Sequence, residues 1–258
     1  LTPRTLGAAF ALDGQVAVVT GGNGGLGLAM ARALYAAGAT VVVTGRDRAK
    51  NEVAASEFAV LPLDVTDESG VGRFFREIER DHGGTDILIN NAGVYLDSPV
   101  LEDDQSAWDQ MVAVNLTGTL RCARHAAPQM RRAGAGKIIN IGSVYSSFGH
   151  PRSAGYAATK AGIIGLTCSL AAELGPHNIQ ANAILPGWFP TAINGDLPNL
   201  PRGEEIRRRT PLGRWGSDAD IGGLAVYLAS HASDFVTGAA IPLDGGYTAT
   251  DRPVHSSD

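Results

Sequence analysis

Short runs of Val, Ile and Ala alternate along the chain with longer stretches in which apolar residues recur at helical spacing. The runs at 15–20, 40–44, 59–63, 86–90, 137–141, 179–185 and 240–243 predict strands. The stretches at 26–37, 67–81, 104–132, 154–174 and 218–230 predict helices. Pro128 is expected to distort the end of the third helix, because proline removes a donor and crowds the preceding turn. Residues 46–56 leave room for only a short helix between the second and third strands. Strand and helix in alternation specify an α/β fold with a parallel sheet. Uninterrupted apolar runs such as Val16-Ala17-Val18-Val19 and Ile87-Leu88-Ile89 fit strands covered on both faces by the helices of right-handed crossovers.

The rhythm breaks once. Residues 186–216 carry Pro186 and four more prolines, several glycines and the basic cluster Arg207-Arg208-Arg209 between the sixth strand and the last helix. Long connections in compact domains are uncommon and often functional, and this one follows the carboxyl end of a strand, where open α/β sheets bind ligands. It reads as a substrate lid, a solvated insertion being the alternative, because Trp188, Phe189 and Ile193 are costly to leave in water.

With 258 residues, 44% hydrophobic and 18% charged, the chain can bury one large core, and no shift of composition marks a second. A single domain over 1–258 is expected. The net charge of −5 gives no electrostatic footprint for nucleic acid or an anionic membrane. No apolar run approaches the roughly 18 residues of a membrane span, and no charged segment followed by an apolar one opens the chain. These features predict a soluble, cytoplasmic protein. Cys122 and Cys168 have no CxxC partner or His cluster nearby and read as free thiols, both small buried residues of a protein in a reducing compartment.

The first strand runs into Gly21-Gly22-Asn23-Gly24-Gly25-Leu26-Gly27 and then into an Ala-rich helix. This segment fits Gly-x-Gly-x-x-Gly at Gly22, Gly24 and Gly27, and Thr-Gly-x-x-x-Gly-x-Gly at Thr20, Gly21, Gly25 and Gly27. Glycines permit positive φ and let the backbone approach a pyrophosphate, whose charge meets free N–H groups at the helix start. Dinucleotide binding follows from that context, with a tight packing turn as the alternative. At the tip of the second strand Thr44-Gly45-Arg46 presents an arginine where an acid would bond the ribose 2′-hydroxyl, which favours NADP(H). Asp47 follows directly and keeps NAD(H) possible, and Gly24 adds no second cation in the turn.

Tyr156 and Lys160 lie four residues apart, so a helix stacks both side chains on one face. A phenol with a pKa near ~10 exchanges protons poorly at neutral pH unless a cation stabilises the phenolate. Lys160 is placed to supply that charge, and a surface contact between the two is the alternative. Ser143 upstream and Asn90-Asn91-Ala92-Gly93 after a buried strand add weight to the first reading.

Taken in order, Thr20-Gly21-x-x-x-Gly25-x-Gly27, Asp64, Asn90-Asn91-Ala92-Gly93, Asn115, Ser143, Tyr156-x-x-x-Lys160 and Pro186-Gly187 span positions 12–247 and resemble the short-chain dehydrogenase/reductase family. The resemblance implies a doubly wound Rossmann sheet of seven parallel strands with helices on both faces. It also implies hydride transfer between NADP(H) or NAD(H) and a ketone or secondary alcohol. Tyr156 is similar to the family's general acid in reduction and base in oxidation. Ser143 would bond the substrate oxygen, and Lys160 would hold the nicotinamide ribose and lower the tyrosine's pKa. Asn115 would hold a water linking Lys160 to solvent. Gly21, Asn23, Gly24, Gly25, Leu26, Gly27 and Arg46 would hold the phosphates and adenosine ribose, Asp64 and Val65 the adenine. Asn91, Ala92 and Gly93 would line the cleft, and Pro186, Gly187, Phe189 and Thr191 would contact the nicotinamide. No metal constellation is visible, the six histidines being scattered.

Tyr95, Leu96, Tyr145, Phe148, His150, Trp188 and Phe189 are the expected substrate pocket, apolar and aromatic, suited to a ketone or secondary alcohol with cyclic or hydrocarbon bulk. Ordinary packing beneath the loop is the alternative for each. A 3-oxoacyl thioester on an acidic carrier protein is a second candidate substrate, with Arg131, Arg132 and Arg152 as docking cations. A non-catalytic dinucleotide sensor is a third reading, against which Ser143, Tyr156 and Lys160 stand. Members of the family are often homotetramers, and Ala157, Ala161, Gly162 and Gly165 would let the helix of Tyr156 pack closely on another copy.

Overall fold

The computed structural model describes residues 5–102 and 105–255. In chain order its elements are α1 (Leu6–Phe10), β1 (Val16–Thr20), α2 (Gly25–Ala36), β2 (Thr40–Gly45), α3 (Arg48–Ala54), β3 (Ala59–Pro62), α4 (Glu68–His82), β4 (Ile87–Asn90), α5 (Gln105–Met111), α6 (Gly118–Ala133), β5 (Gly136–Ile141), α7 (Ala154–Leu174), β6 (Ile179–Pro186), α8 (Pro201–Arg209), α9 (Asp218–Ala229) and β7 (Ala240–Leu243). All seven strands pair in parallel, in the order β3-β2-β1-β4-β5-β6-β7. This is the doubly wound sheet that the resemblance implies.

Strand alternation explains the unbroken apolar runs. Ala17 and Val19 of β1, with Ile87 and Ile89 of β4, face one core, which α2 closes with Met30 and Leu34 and α9 with Ile221 and Leu228. Val16 and Val18, with Leu88, face the other, closed by Phe74 and Ile78 of α4, Cys122 and Met130 of α6 and Leu170 of α7. Both faces of the strands are therefore apolar, and the polar loops collect at the strand ends.

The chain order reverses between β1 and β4, whose last paired residues are Thr20 and Asn90. A crevice opens at the carboxyl ends of strands at such a reversal. The glycine turn and the Asn91-Ala92-Gly93 segment lie on its two lips.

Several expectations need correction. The third helix is two helices joined by a π-helical turn, Val112–Thr117; its expected first residue, Asp104, lies outside the described residues. Pro128 sits inside α6, which runs on to Ala133. Both Pro128 and Arg124, one turn earlier, are exposed, so the carbonyl that lacks a partner is on the solvent side, while buried Ala126, Gln129 and Met130 anchor the turn. The 186–216 connection contains a 3-10 turn, Leu197–Asn199, and α8. Phe189 is buried in the core, but Ile193 is 60% exposed. Cys168 is exposed rather than buried, its thiol directed at the Gly238 carbonyl 3.7 Å away. Helix α1 carries no buried residue, so its sequence shows no helical period to read.

Candidate active site

Side chains that look like ligand contacts in the sequence first build the crevice itself. Thr20 Oγ1 accepts the Asn91 and Ala92 N–H groups at 3.0 Å each and donates to the Ile89 carbonyl. Asn91 Nδ2 donates back to the Thr20 and Gly21 carbonyls at 3.0 and 3.1 Å. A side chain at Gly27 would collide with that amide, its Cβ falling 2.4 Å from Asn91 Nδ2 and from the Gly21 oxygen. Gly25 has φ +51°, the left-handed region that glycine alone enters freely. Gly24, the residue that caps α2, offers no side-chain acceptor, which leaves the first-turn N–H groups available to an anion. Asn23 donates to Asn51 Oδ1 at 2.8 Å, and Asn51 donates to the Gly45 carbonyl at 3.0 Å, tying the turn to the end of β2.

A cavity of about 610 Å³ fills the crevice. Its wall takes in every expected cofactor residue except Gly27, which lies beneath the turn, and the expected catalytic residues Ser143, Tyr156 and Lys160. Tyr95, Tyr145, His150, Trp188 and Phe189 also line it, whereas Leu96, Phe148 and Asn115 do not. Phe148 instead packs on Tyr145 and Tyr247, with the Arg209 guanidinium 5.7 Å from its ring centre. Two cations on the wall went unread in the sequence: Lys50 and Arg202. Lys50 is four residues beyond Arg46, the spacing that already drew notice to Tyr156 and Lys160, and its Cδ passes 3.8 Å from the position of a Cβ on Gly24.

At the β2 end, Arg46 lies 3.5 Å from Asp64. Burial alone would raise the Asp64 carboxyl, but bonds from the Thr66 N–H and hydroxyl, with the Arg46 charge, outweigh it and hold the group below its ordinary value. Asp47 is committed elsewhere: its Oδ1 accepts the Lys50 N–H at 3.1 Å and caps α3. The donor set fits a phosphorylated dinucleotide: glycine backbone and a helix start for the pyrophosphate, and two cations at the ribose end.

Ser143 lies two residues beyond the end of β5, where its hydroxyl accepts the Tyr145 N–H at 3.2 Å, and it shares the cavity wall with the Tyr156 phenol. Ser146 Oγ donates to the Lys160 carbonyl at 2.7 Å, which docks the start of α7 against this turn. The Tyr156 ring meets Tyr95 edge-on at 5.3 Å and Tyr145 at 6.0 Å. Burial pushes its phenol up to about 12, the Ser143 bond pulling the other way. Lys160, 5% exposed, donates to the Ile141 carbonyl at 2.7 Å, and burial pushes its ammonium down to about 8. The expected depression of the tyrosine's pKa is therefore absent: burial outweighs the opposing pull, and the Lys160 ammonium gives its bond to the Ile141 carbonyl.

Asn115, in the π-helical turn, accepts the Val94 N–H at 2.8 Å and donates to the Val94 carbonyl at 2.9 Å and Thr159 Oγ1 at 3.2 Å. Its amide is thus engaged with protein, with both N–H donors used and one lone pair of Oδ1 left over.

The family model described as "Enoyl-(Acyl carrier protein) reductase" matches residues 21–248. The chain belongs to the short-chain dehydrogenase/reductase family. It is an NAD(P)-dependent oxidoreductase of CH–OH and C=O groups. Gluconate 5-dehydrogenase of Gluconobacter oxydans is 38% identical over 93% of this chain and 97% of its own length. A 3-oxoacyl-[acyl-carrier-protein] reductase of Aquifex aeolicus is 36% identical over 91% of this chain and 98% of its own. The crystal structure of a gluconate 5-dehydrogenase from Burkholderia cenocepacia, in complex with NADP and tartrate, superposes with a TM-score of 0.90 at 38% identity, covering 95% of this chain and all of that one. Among the described residues, no helix of this family member is long and apolar enough to cross a membrane.

Proposed function

We propose that the enzyme uses NADP(H) to interconvert a secondary alcohol and its ketone, with Tyr156 as the proton-exchanging group. The observation that carries this reading is that Ser143, Tyr156 and Lys160 converge on one cavity wall, with Lys160 buried 5.7 Å from the Tyr156 ring centre. The nicotinamide ring supplies the hydride in reduction and accepts it in oxidation. In reduction, negative charge grows on the carbonyl oxygen; the Ser143 hydroxyl donates to it and Tyr156 delivers the proton that completes the hydroxyl. In oxidation, Tyr156 takes the same proton back. Aromatic walls at Tyr95, Tyr145 and Trp188 exclude water from the reacting carbon.

Arg46 and Lys50 on one wall, with Asp47 held as a helix cap, support NADP(H) over NAD(H). Initial rates with NADPH and NADH against cyclic, aryl and acyl ketones test the reading. A preference for NADPH with measurable ketone reduction is expected, and no reduction of any ketone overturns it.

A carrier-bound 3-oxoacyl thioester is the second reading, favoured by the Aquifex aeolicus relative. The docking cations weigh against it: Arg132 pairs with Glu79, and Arg152 with Asp97 and Glu102, so two of the three are already compensated. We place the whole of 1–258 in one domain with 186–216 as the lid, and expect a homo-oligomer without nucleic-acid partners. Of the four small residues of α7, Ala161 and Gly165 are exposed and Ala157 and Gly162 partly buried; the exposed pair allows close contact between copies, which light scattering of the purified protein tests.

A further inference from the structure

We infer that the substrate carries a carboxylate and that Arg202 receives it, an inference that rests on the hydride-transfer reading above. Arg202 is the second residue of α8 and lines the same cavity as Tyr156. Its guanidinium contacts His150 Nε2. His150 Nδ1 lies 2.8 Å from the Pro151 carbonyl, which accepts only, so the ring proton sits on Nδ1 and Nε2 is the acceptor for Arg202. The contact therefore satisfies one guanidinium N–H without compensating the charge.

Nothing else compensates it. Among the described residues no carboxylate lies within 4 Å of Arg202, whereas Arg207 of the same helix pairs with Glu204, Arg46 with Asp64 and Arg214 with Asp220. Helix stability does not account for the residue either. A cation in the first turn opposes the helix dipole, which favours acids there and bases in the last turn. Arg207, Arg208 and Arg209 occupy the favourable end of α8 and Arg202 the unfavourable one.

The charge reaches the reacting side of the pocket. The His150 ring that Arg202 contacts stacks on Tyr145 at 5.3 Å, which sets the guanidinium one ring away from that phenol. The Tyr145 ring in turn meets Tyr156 edge-on at 6.0 Å. A substrate whose carbinol or carbonyl carbon is at Tyr156 thus extends past an aromatic wall and ends at a guanidinium with donors to spare for a bidentate carboxylate. The class is a hydroxy or keto acid in which apolar or cyclic framework separates the two functions.

The test uses acetoacetate, levulinate and the cyclohexanone carboxylates, each beside its own carboxamide, with NADPH for turnover and with NADP+ for binding read by tryptophan fluorescence, since Trp188 lines the cavity. Wild type should prefer acids over amides by about tenfold or more in kcat/KM and in binding, the ratio expected of one charge-assisted contact. R202L should erase the preference for acid over amide, and R202K should restore part of it. Amides that bind as well as acids, or an acid preference that survives R202L, overturn the proposal. Acids bound in preference but never reduced would leave the anion site standing and overturn the hydride-transfer reading instead.

Discussion

The Lys160 ammonium lies over the Tyr156 ring, 5.7 Å from its centre, and gives its hydrogen bond to the Ile141 carbonyl. A cation over a ring stabilises the aromatic face more than the oxygen at its rim. Burial therefore governs both groups, keeping the phenol protonated and loosening the proton on the amine. In this arrangement the Tyr156 phenol keeps its proton at physiological pH, as the proposed role in reduction requires.

Tyr156→Phe keeps the ring against Tyr95 and Tyr145 and removes only the proton. Reduction should fall by about 100-fold or more, the ordinary contribution of a positioned acid, while NADPH binding measured by fluorescence is unchanged. A variant retaining full turnover would refute the assignment.

Lys160→Met tests the burial of the amine through stability. Its folded pKa of about 8 lies below the ordinary lysine value of about 10.4, so between those limits the unfolded chain binds the extra proton. Unfolding free energy of the wild type should then rise with pH across this window relative to K160M, by about 3 kcal/mol at its upper end. Denaturant unfolding of both proteins at pH 7, 8, 9 and 10 measures the difference; parallel curves would mean that the amine titrates as in water.

Much of this was legible in the chain. Seven strands were readable because each is an apolar run bounded by turn residues, and the crevice because a glycine turn between strand and helix has few other uses. The departures share a cause. Asn115, Asn91 and Asp47 are polar residues beside a ligand cleft, and sequence does not distinguish a side chain that reaches the ligand from one that holds the cleft's backbone. Lys50 lies on α3, oriented by packing on β2 and β3, and Arg202 on α8, oriented by the 3-10 turn before it, so no local pattern announces that they face the cavity.

Lys50→Ala and Arg46→Ala address the ribose end. Each removes a cation from the wall that would meet a 2′-phosphate. KM for NADPH should rise about tenfold in each, as for loss of one charge-assisted contact, while KM for NADH stays within a factor of two or so. Equal effects on both cofactors would show that these cations do not read the phosphate.

Asn115→Ala separates a holding role from a proton-relay role. The amide joins three elements: the π-helical turn that bears it, the Val94 backbone after β4 and Thr159 on α7, one residue before Lys160. Removing it leaves the Val94 N–H and carbonyl without their partner, at about 1–3 kcal/mol for each group that stays dry. Unfolding free energy should fall by a few kcal/mol, and kcat should fall with it as Gly93 and Lys160 lose their common support; a Cβ at Gly93 would lie 3.4 Å from the Asn115 oxygen and 3.6 Å from Lys160 Nζ. Were the residue a link in a proton path only, the variant would keep its stability and show a larger solvent isotope effect on kcat. Calorimetry beside turnover in heavy water distinguishes the two, and the three hydrogen bonds already committed to protein favour the loss of stability.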